Sequence, residues 1–175
     1  MQKQKSKSGN KMSEPKIEKV VLNIGGTDEK IEKGVKLLER FTGKKPVRRK
    51  SNKRIPTLGI SPGMEVGCMV TIRGEKAKEI LQRLFDAVDN EIREKKITKN
   101  SLSFGIDEYI EIPGFEYQRD IGIIGLSVSV SFSKPGKRVE KRKIKKSKMA
   151  DKQQVSEKEI IKYLKQNFDV EVIER

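Results

Sequence analysis

Hydrophobic and polar residues alternate along three stretches of the chain with the two-residue period of a half-buried strand. In the first, from Lys16 to Gly26, Val20, Leu22 and Ile24 share one side while Lys19, Val21 and Asn23 share the other, and a Gly-Gly pair ends it. In the second, Cys68, Val70 and Ile72 alternate with Met69, Thr71 and Arg73. The third is the cleanest: between Gly122 and Ser133, Leu126, Val128, Val130 and Phe132 oppose Ser127, Ser129, Ser131 and Ser133. Each strand therefore has one side for a core and one side for something else.

Helical spacing occurs between and after these strands. Ile31, Val35, Leu38 and Phe41 predict a first helix, capped by Thr27 or Asp28 and stopped by Gly43. Gly74 leads into a second, with Ala77, Ile80, Leu81, Leu84, Val88 and Ile92 in one stripe and Phe85 at its edge. Ser156 and Glu159 form a capping box, with Val155 and Ile160 in staple positions, for a C-terminal helix over 156–168 whose apolar side is Ile160, Leu164 and Phe168. Val170 and Val172 suggest a last short strand. A short strand at Val47 to Lys50 leads into a long loop punctuated by Pro56, Gly59, Pro62 and Gly63, with order returning at Cys68. Residues 102–112 read as short extended segments ending in a Pro113-Gly114 turn.

These elements predict an α+β fold, an antiparallel sheet with helices packed on one face. If the strands share that sheet, its other side displays Lys19, Asn23, Met69, Thr71, Arg73 and the serine row. Residues 1–13 read as a disordered basic arm and residues 14–175 as a single domain that includes a basic segment at 134–148.

Charge changes the picture of what the polar side meets. The 175 residues hold 40 Lys and Arg against 25 Asp and Glu, a net charge of +15. Such an excess concerns partners, first a phosphate backbone and then an anionic membrane surface. No run of about 18 apolar residues or secretory segment occurs, so a membrane span is not expected and the protein is expected in the cytosol. There is no histidine and one cysteine, Cys68, which excludes an internal disulfide, the usual zinc ligand sets and the commonest general base. No cofactor and no metal site is expected.

Enzyme-like motifs fail on context. Gly59-Ile60-Ser61-Pro62-Gly63 matches G-x-S-x-G, but a strand follows it and no histidine exists to activate the serine. Neither phosphate-loop fingerprint occurs. Asp107, Glu108 and Glu111 could hold Mg²⁺ in a nucleic-acid-processing enzyme, although three carboxylates in a short extended segment more often form a solvated face. Cations concentrate in three places, the arm, residues 44–54 and residues 134–148, while aromatic residues mostly fall on apolar sides. That distribution points to structured RNA or duplex backbone rather than stacked single strands. The residues alone leave the serine-bearing side as either an RNA platform or the wet side of a sheet, and they leave a free RNA chaperone or duplex-RNA binder open.

Several motifs then stand in order and at matching spacing. They are Lys-Ile-Glu-Lys-Val-Val-Leu-Asn-Ile-Gly at 16–25, Thr42-Gly43-x-Lys45-Pro46, and Pro62-Gly63-x-x-x-Gly67-Cys68-x-Val70-Thr71-x-Arg73-Gly74. Phe104-Gly105-Ile106-x-Glu108-x-Ile110-Glu111-x-Pro113-Gly114 and Gly122-Ile123-x-Gly125-Leu126-x-Val128-x-Val130 follow. Together they resemble the large-subunit ribosomal protein five family, in its archaeal or eukaryotic-like form, over residues 16 to about 135 and more loosely in the terminal helix.

The resemblance implies a structural protein of the cytoplasmic large ribosomal subunit, not an enzyme. It implies that the sheet's concave side lies on 5S rRNA in the central protuberance, with Lys19, Asn23 and Thr71 as matching contact positions. Lys44, Arg48, Arg49, Lys50 and Arg73 join them as candidate RNA contacts, with adjacent large-subunit rRNA as a further partner. The loop at about 51–65, with Ser51, Lys53, Arg54, Ile60, Ser61, Pro62 and Gly63, is implied to reach toward P-site tRNA. Neighbouring ribosomal proteins, including one of the small subunit, complete the implied partners. Two positions depart from the family's pattern: Lys44 stands where Gln is frequent, and Ser127 where Asp is common.

Overall fold

A computed structural model of the protein describes residues 12–26 and 29–173. The three alternating stretches are neighbouring strands. β1 (Lys16–Gly25) lies between β3 (Glu65–Ile72) and β7 (Leu126–Ser133), antiparallel to both, so that Leu22 faces Val70 on one side and Val128 on the other. β2 (Val47–Lys50) adds outside β3, and β6 (Ser101–Ile106) then β5 (Ile97–Thr98) add outside β7, giving a six-stranded sheet in the order β2-β3-β1-β7-β6-β5. Residues directly opposite each other in an antiparallel pair point to the same face. The period-two patterns of separate strands therefore add up to one apolar face and one polar face.

Helices cover the apolar face. In α1 (Glu29–Thr42), Ile31, Leu37 and Leu38 are buried, and Gly34 lets the helix close on the sheet. A Cβ at Gly34 would lie 3.1 Å from both Cys68 Sγ and Ile24 Cγ2. Burial of the Cys68 thiol beneath this helix raises its pKa. The caps expected for α1, Thr27 and Asp28, lie outside the described residues, as do residues 1–11 of the basic arm. α2 (Glu75–Asp86) buries Ala77, Ile80, Leu81, Leu84 and Phe85. Phe85 is not at the edge of the stripe: it is fully buried, stacked on Phe104 at 5.4 Å and edge-on to Phe168 at 5.3 Å.

Two boundaries differ from the sequence expectation. β3 begins at Glu65, three residues before Cys68, because it pairs with β2 across a hairpin. α2 stops at Asp86, and Val88 and Ile92 are not part of it. Asp89 and Asn90 both adopt left-handed backbone, with φ of 53° and 59°, which turns the chain out of the helix. Ile92 is buried all the same, in β4 (Glu91–Arg93), which pairs in parallel with β8 (Glu171–Ile173). Between them α4 (Glu157–Phe168) starts at the expected capping box and buries Ile160, Leu164 and Phe168. Among the described residues no helix is long and apolar enough to cross a membrane.

The basic segment after β7 folds back on the domain. Lys134 is 9% exposed and donates to Glu159 Oε1 at 2.8 Å and to the Gln154 carbonyl at 3.2 Å. It is followed by one short helical turn, α3 (Arg138–Lys141), whose neighbourhood is tied to β1: Lys137 Nζ lies 2.7 Å from Glu18 Oε2, and Lys141 pairs with the other carboxylate oxygen. A register shift between Ile17 and Lys19 marks the place where Glu18 leaves the regular alternation. Burial acts to raise the Glu18 carboxyl, but the two ammonium groups outweigh it and hold the pKa at about 2.

A carboxyl depressed from 4.5 to about 2 stabilises the fold above pH 4.5, and that contribution is lost as pH falls through the interval. Since Lys141 is 60% exposed, the full shift overstates the gain, and about 1–2 kcal/mol is expected. Glu18→Gln should lose this stability in urea unfolding at pH 6, and its deficit against the wild type should vanish near pH 2. A deficit independent of pH would show that the ion pairs are not its origin.

Candidate nucleic-acid interface

Opposite the helices, the sheet displays the residues left unburied by alternation. On β1, Lys19 lies opposite Ser131, Val21 lies between Thr71 and Ser129, and Asn23 lies between Met69 and Ser127. Lys16 lies opposite Ser133 at the end of the row. The three strands thus bring Lys19, Asn23, Met69, Thr71 and the four serines onto one continuous surface, and they carry no carboxylate among them. Arg73 follows β3 directly and is exposed.

Sequence reasoning misses the strand that doubles the hydroxyl field. On β6, Ser101, Ser103 and Gly105 lie opposite Ser131, Ser129 and Ser127. Ser103 Oγ is 3.2 Å from Ser129 Oγ, and Thr98 Oγ1 of β5 is 2.7 Å from Ser101 Oγ. The signal is present, because Ser101, Ser103 and Gly105 alternate with Leu102, Phe104 and Ile106, but a division of residues 102–112 into short extended pieces conceals it.

Small hydroxyls can donate and accept, and they let a wide, shallow RNA minor groove approach the backbone of the sheet. Among the described residues the exposed Asn23 amide makes no internal hydrogen bond, so its two donors and its acceptor are available to a ligand. Lys19 adds a cation to the same strand, one residue from the ion pairs that hold Glu18.

The basic cluster at 44–54 divides between the faces. Val47 lies opposite Met69 and Arg49 opposite Gly67, which puts both on the hydroxyl-bearing side, with Arg49 Nη1 3.6 Å from Met69 Sδ. Arg48 does not join them. It lies opposite buried Cys68, and its Nη1 donates to Glu65 Oε2 at 3.0 Å in a recess also lined by Glu29 and Glu32. Lys44 sits in the turn after α1, where its N–H donates to Thr42 Oγ1 at 3.2 Å, and Lys50 ends β2; both side chains are exposed.

Beyond Lys50 the chain makes a hydrogen-bonded hairpin end. Ser51 N–H donates to the Met64 carbonyl and Gly63 N–H to the Ser51 carbonyl, each at 2.8 Å. Farther out, Ile55 and Ile60 exchange backbone bonds of 2.9 and 3.1 Å around a single 3-10 turn, Pro56–Leu58, closed by left-handed Gly59. Ser51 and Ile60 are half-buried, while Lys53, Arg54, Ser61, Pro62 and Gly63 are exposed. Asp107, Glu108 and Glu111 behave differently: among the described residues no group of carboxylates that could hold a metal ion forms.

Residues 10–60 match the family model described as ribosomal protein L5, and residues 65–163 match the model of the same ribosomal family's C-terminus. The chain belongs to the ribosomal protein L5 family. Its relatives include the proteins named large ribosomal subunit protein uL5 of Nanoarchaeum equitans, 44% identical over 165 residues, covering 93% of this chain and 98% of the relative. That of Methanosphaera stadtmanae is 40% identical over 166 residues, 93% of this chain and 99% of the relative. That of Sulfolobus acidocaldarius is 34% identical over 177 residues, with 99% of each chain covered. The resemblance to the archaeal form of the family is thereby borne out. L5 is a family of structural ribosomal proteins and not of enzymes, which sets aside the Mg²⁺-dependent alternative. The two matched segments meet in the β2–β3 hairpin, yet strands from both lie in one sheet.

Proposed function

We propose that the chain is a structural constituent of the cytoplasmic large ribosomal subunit and binds 5S rRNA in the central protuberance through the hydroxyl-bearing face of its sheet. Lys19, Asn23 and Thr71 are the central contacts, Arg49 and Arg73 flank them, and Lys44 and Lys50 reach phosphates from the rim. Arg48, committed to Glu65 on the other face, is left out of this set. The hairpin end formed by Ser51, Lys53, Arg54, Ile60, Ser61, Pro62 and Gly63 extends toward P-site tRNA. Adjacent large-subunit rRNA and neighbouring ribosomal proteins, one of them from the small subunit, are the remaining partners.

One observation carries this reading: the exposed amide of Asn23 lies on a central strand at the Ser127 end of the hydroxyl row, on the face that the helices leave uncovered. Membership of the L5 family supports the ribosomal setting. An amide buried against RNA without replacement is worth about 1–3 kcal/mol, so Asn23→Ala should weaken 5S rRNA binding by roughly 5- to 150-fold. Fluorescence anisotropy with labelled 5S rRNA measures this. Unchanged affinity would remove Asn23 from the site and, with it, the observation on which the proposed face rests.

A further inference from the structure

The nine Lys and Arg residues between Lys134 and Lys148 fall into two sets with different environments. Lys134, Lys137 and Lys141 pair with Glu159 or Glu18. The other six, Arg138, Arg142, Lys143, Lys145, Lys146 and Lys148, are exposed, and Glu140 is the one acid within the stretch.

The exposed set is carried on a loop with defined internal bonds. Ser147 N–H donates to the Val139 carbonyl at 3.3 Å, Arg142 Nε donates to the Lys145 carbonyl at 2.8 Å, and Lys145 takes left-handed backbone at φ 52°. Ile144, 76% exposed, stands among the cations. Six like charges fall within eleven residues, with Arg142 next to Lys143 and Lys145 next to Lys146, and neighbours this close in the chain repel across a screening distance of about 8 Å at physiological salt. A closely spaced polyanion relieves that repulsion. The loop also begins directly after Ser133, the last hydroxyl of the β7 row, and its anchor Glu18 directly precedes Lys19. It therefore springs from one end of the surface assigned to RNA.

We propose that residues 138–148 form a second RNA contact, a pre-shaped clamp on the phosphate backbone of a structured rRNA segment, with Glu18 as the positioning residue that holds the clamp to β1. The proposal rests on the reading of this chain as an rRNA-binding protein but not on which face of the sheet the RNA occupies. The anionic ligand is A-form RNA backbone, supplied by 5S rRNA itself or by large-subunit rRNA beside it.

The test uses three variants of the full chain, R142Q/K143Q/K146Q together, Glu18→Gln and Asn23→Ala, titrated against 5S rRNA and separately against large-subunit rRNA over a range of salt. The triple variant should bind at least one of these RNAs about tenfold more weakly, with a log–log salt slope shallower by about two units, and its thermal midpoint should match the wild type. Loss on one RNA but not the other identifies the source of the phosphates. Glu18→Gln makes the protein more positive, so charge alone would tighten binding. A several-fold loss instead reports positioning, and unchanged or tighter binding overturns that role.

An unchanged slope and affinity for the triple variant on both RNAs overturns the clamp and leaves the loop to an acidic protein surface. If Asn23→Ala loses binding while the triple variant does not, the clamp fails and the sheet reading stands. If the triple variant loses binding and Asn23→Ala does not, the sheet reading fails and the clamp stands.

Discussion

Phe85→Ala should destabilise the fold by about 3–5 kcal/mol, because truncating a fully buried phenylalanine removes its transfer energy and leaves a cavity. The site has little means to collapse. Phe85 is held between Phe104 on β6 and Phe168 at the end of α4, so the void would be bordered by a sheet strand and by a second helix that is anchored at its own capping box. A loss of this size is a fifth or more of the total stability of an ordinary domain, roughly 5–15 kcal/mol. Urea unfolding measures it, with an unchanged m value expected if the folded state stays intact. A loss below about 1 kcal/mol would mean that the three-ring contact is not the centre of the core.

Binding to 5S rRNA should fall steeply with salt. If about six phosphates are neutralised by Lys19, Arg49, Arg73 and the cations around the hairpin, affinity should drop by roughly 10³-fold between 50 and 200 mM salt. The charge is placed to act this way, since Lys19 lies opposite Ser131 and Arg49 opposite Gly67 beside Met69, and among the described residues neither is held in an ion pair. Filter binding at four or five salt concentrations gives the slope. A nearly flat dependence would contradict phosphate neutralisation as the main source of affinity and shift the weight to hydrogen bonds from Asn23 and the serines.

The parts of the fold legible in the sequence are those in which one residue type repeats at a fixed period. β1, β3 and β7 alternate regularly over residues 19–24, 68–72 and 126–133, so their faces can be read there before their pairing is known, and the register then places Asn23 beside both Met69 and Ser127. The end of α2 is hidden because Val88 and Ile92 continue the helical spacing of Leu81 and Leu84 by coincidence. The deciding residues are Asp89 and Asn90, whose tolerance of left-handed backbone is weak evidence in a sequence and decisive in a structure. Arg48 and Arg49 are equivalent in composition but opposite in facing, a distinction set by their partners Cys68 and Gly67 on β3. The segment 134–148 is opaque for another reason. Its inward cations are balanced by Glu18, more than a hundred positions earlier, and by Glu159 on a later helix, so no local count of charge can divide bound lysines from exposed ones.

The parallel pairing of Glu91–Arg93 with Glu171–Ile173 has a consequence for synthesis. Strands β1, β3 and β7 can pair as soon as they leave the translating ribosome, but Phe85 waits for Phe168, and Ile92 waits for Val172, each about eighty positions later in the chain. A nascent chain therefore holds an open apolar seam on α2 until α4 has emerged, and that seam closes only after the strands of the large sheet have been made.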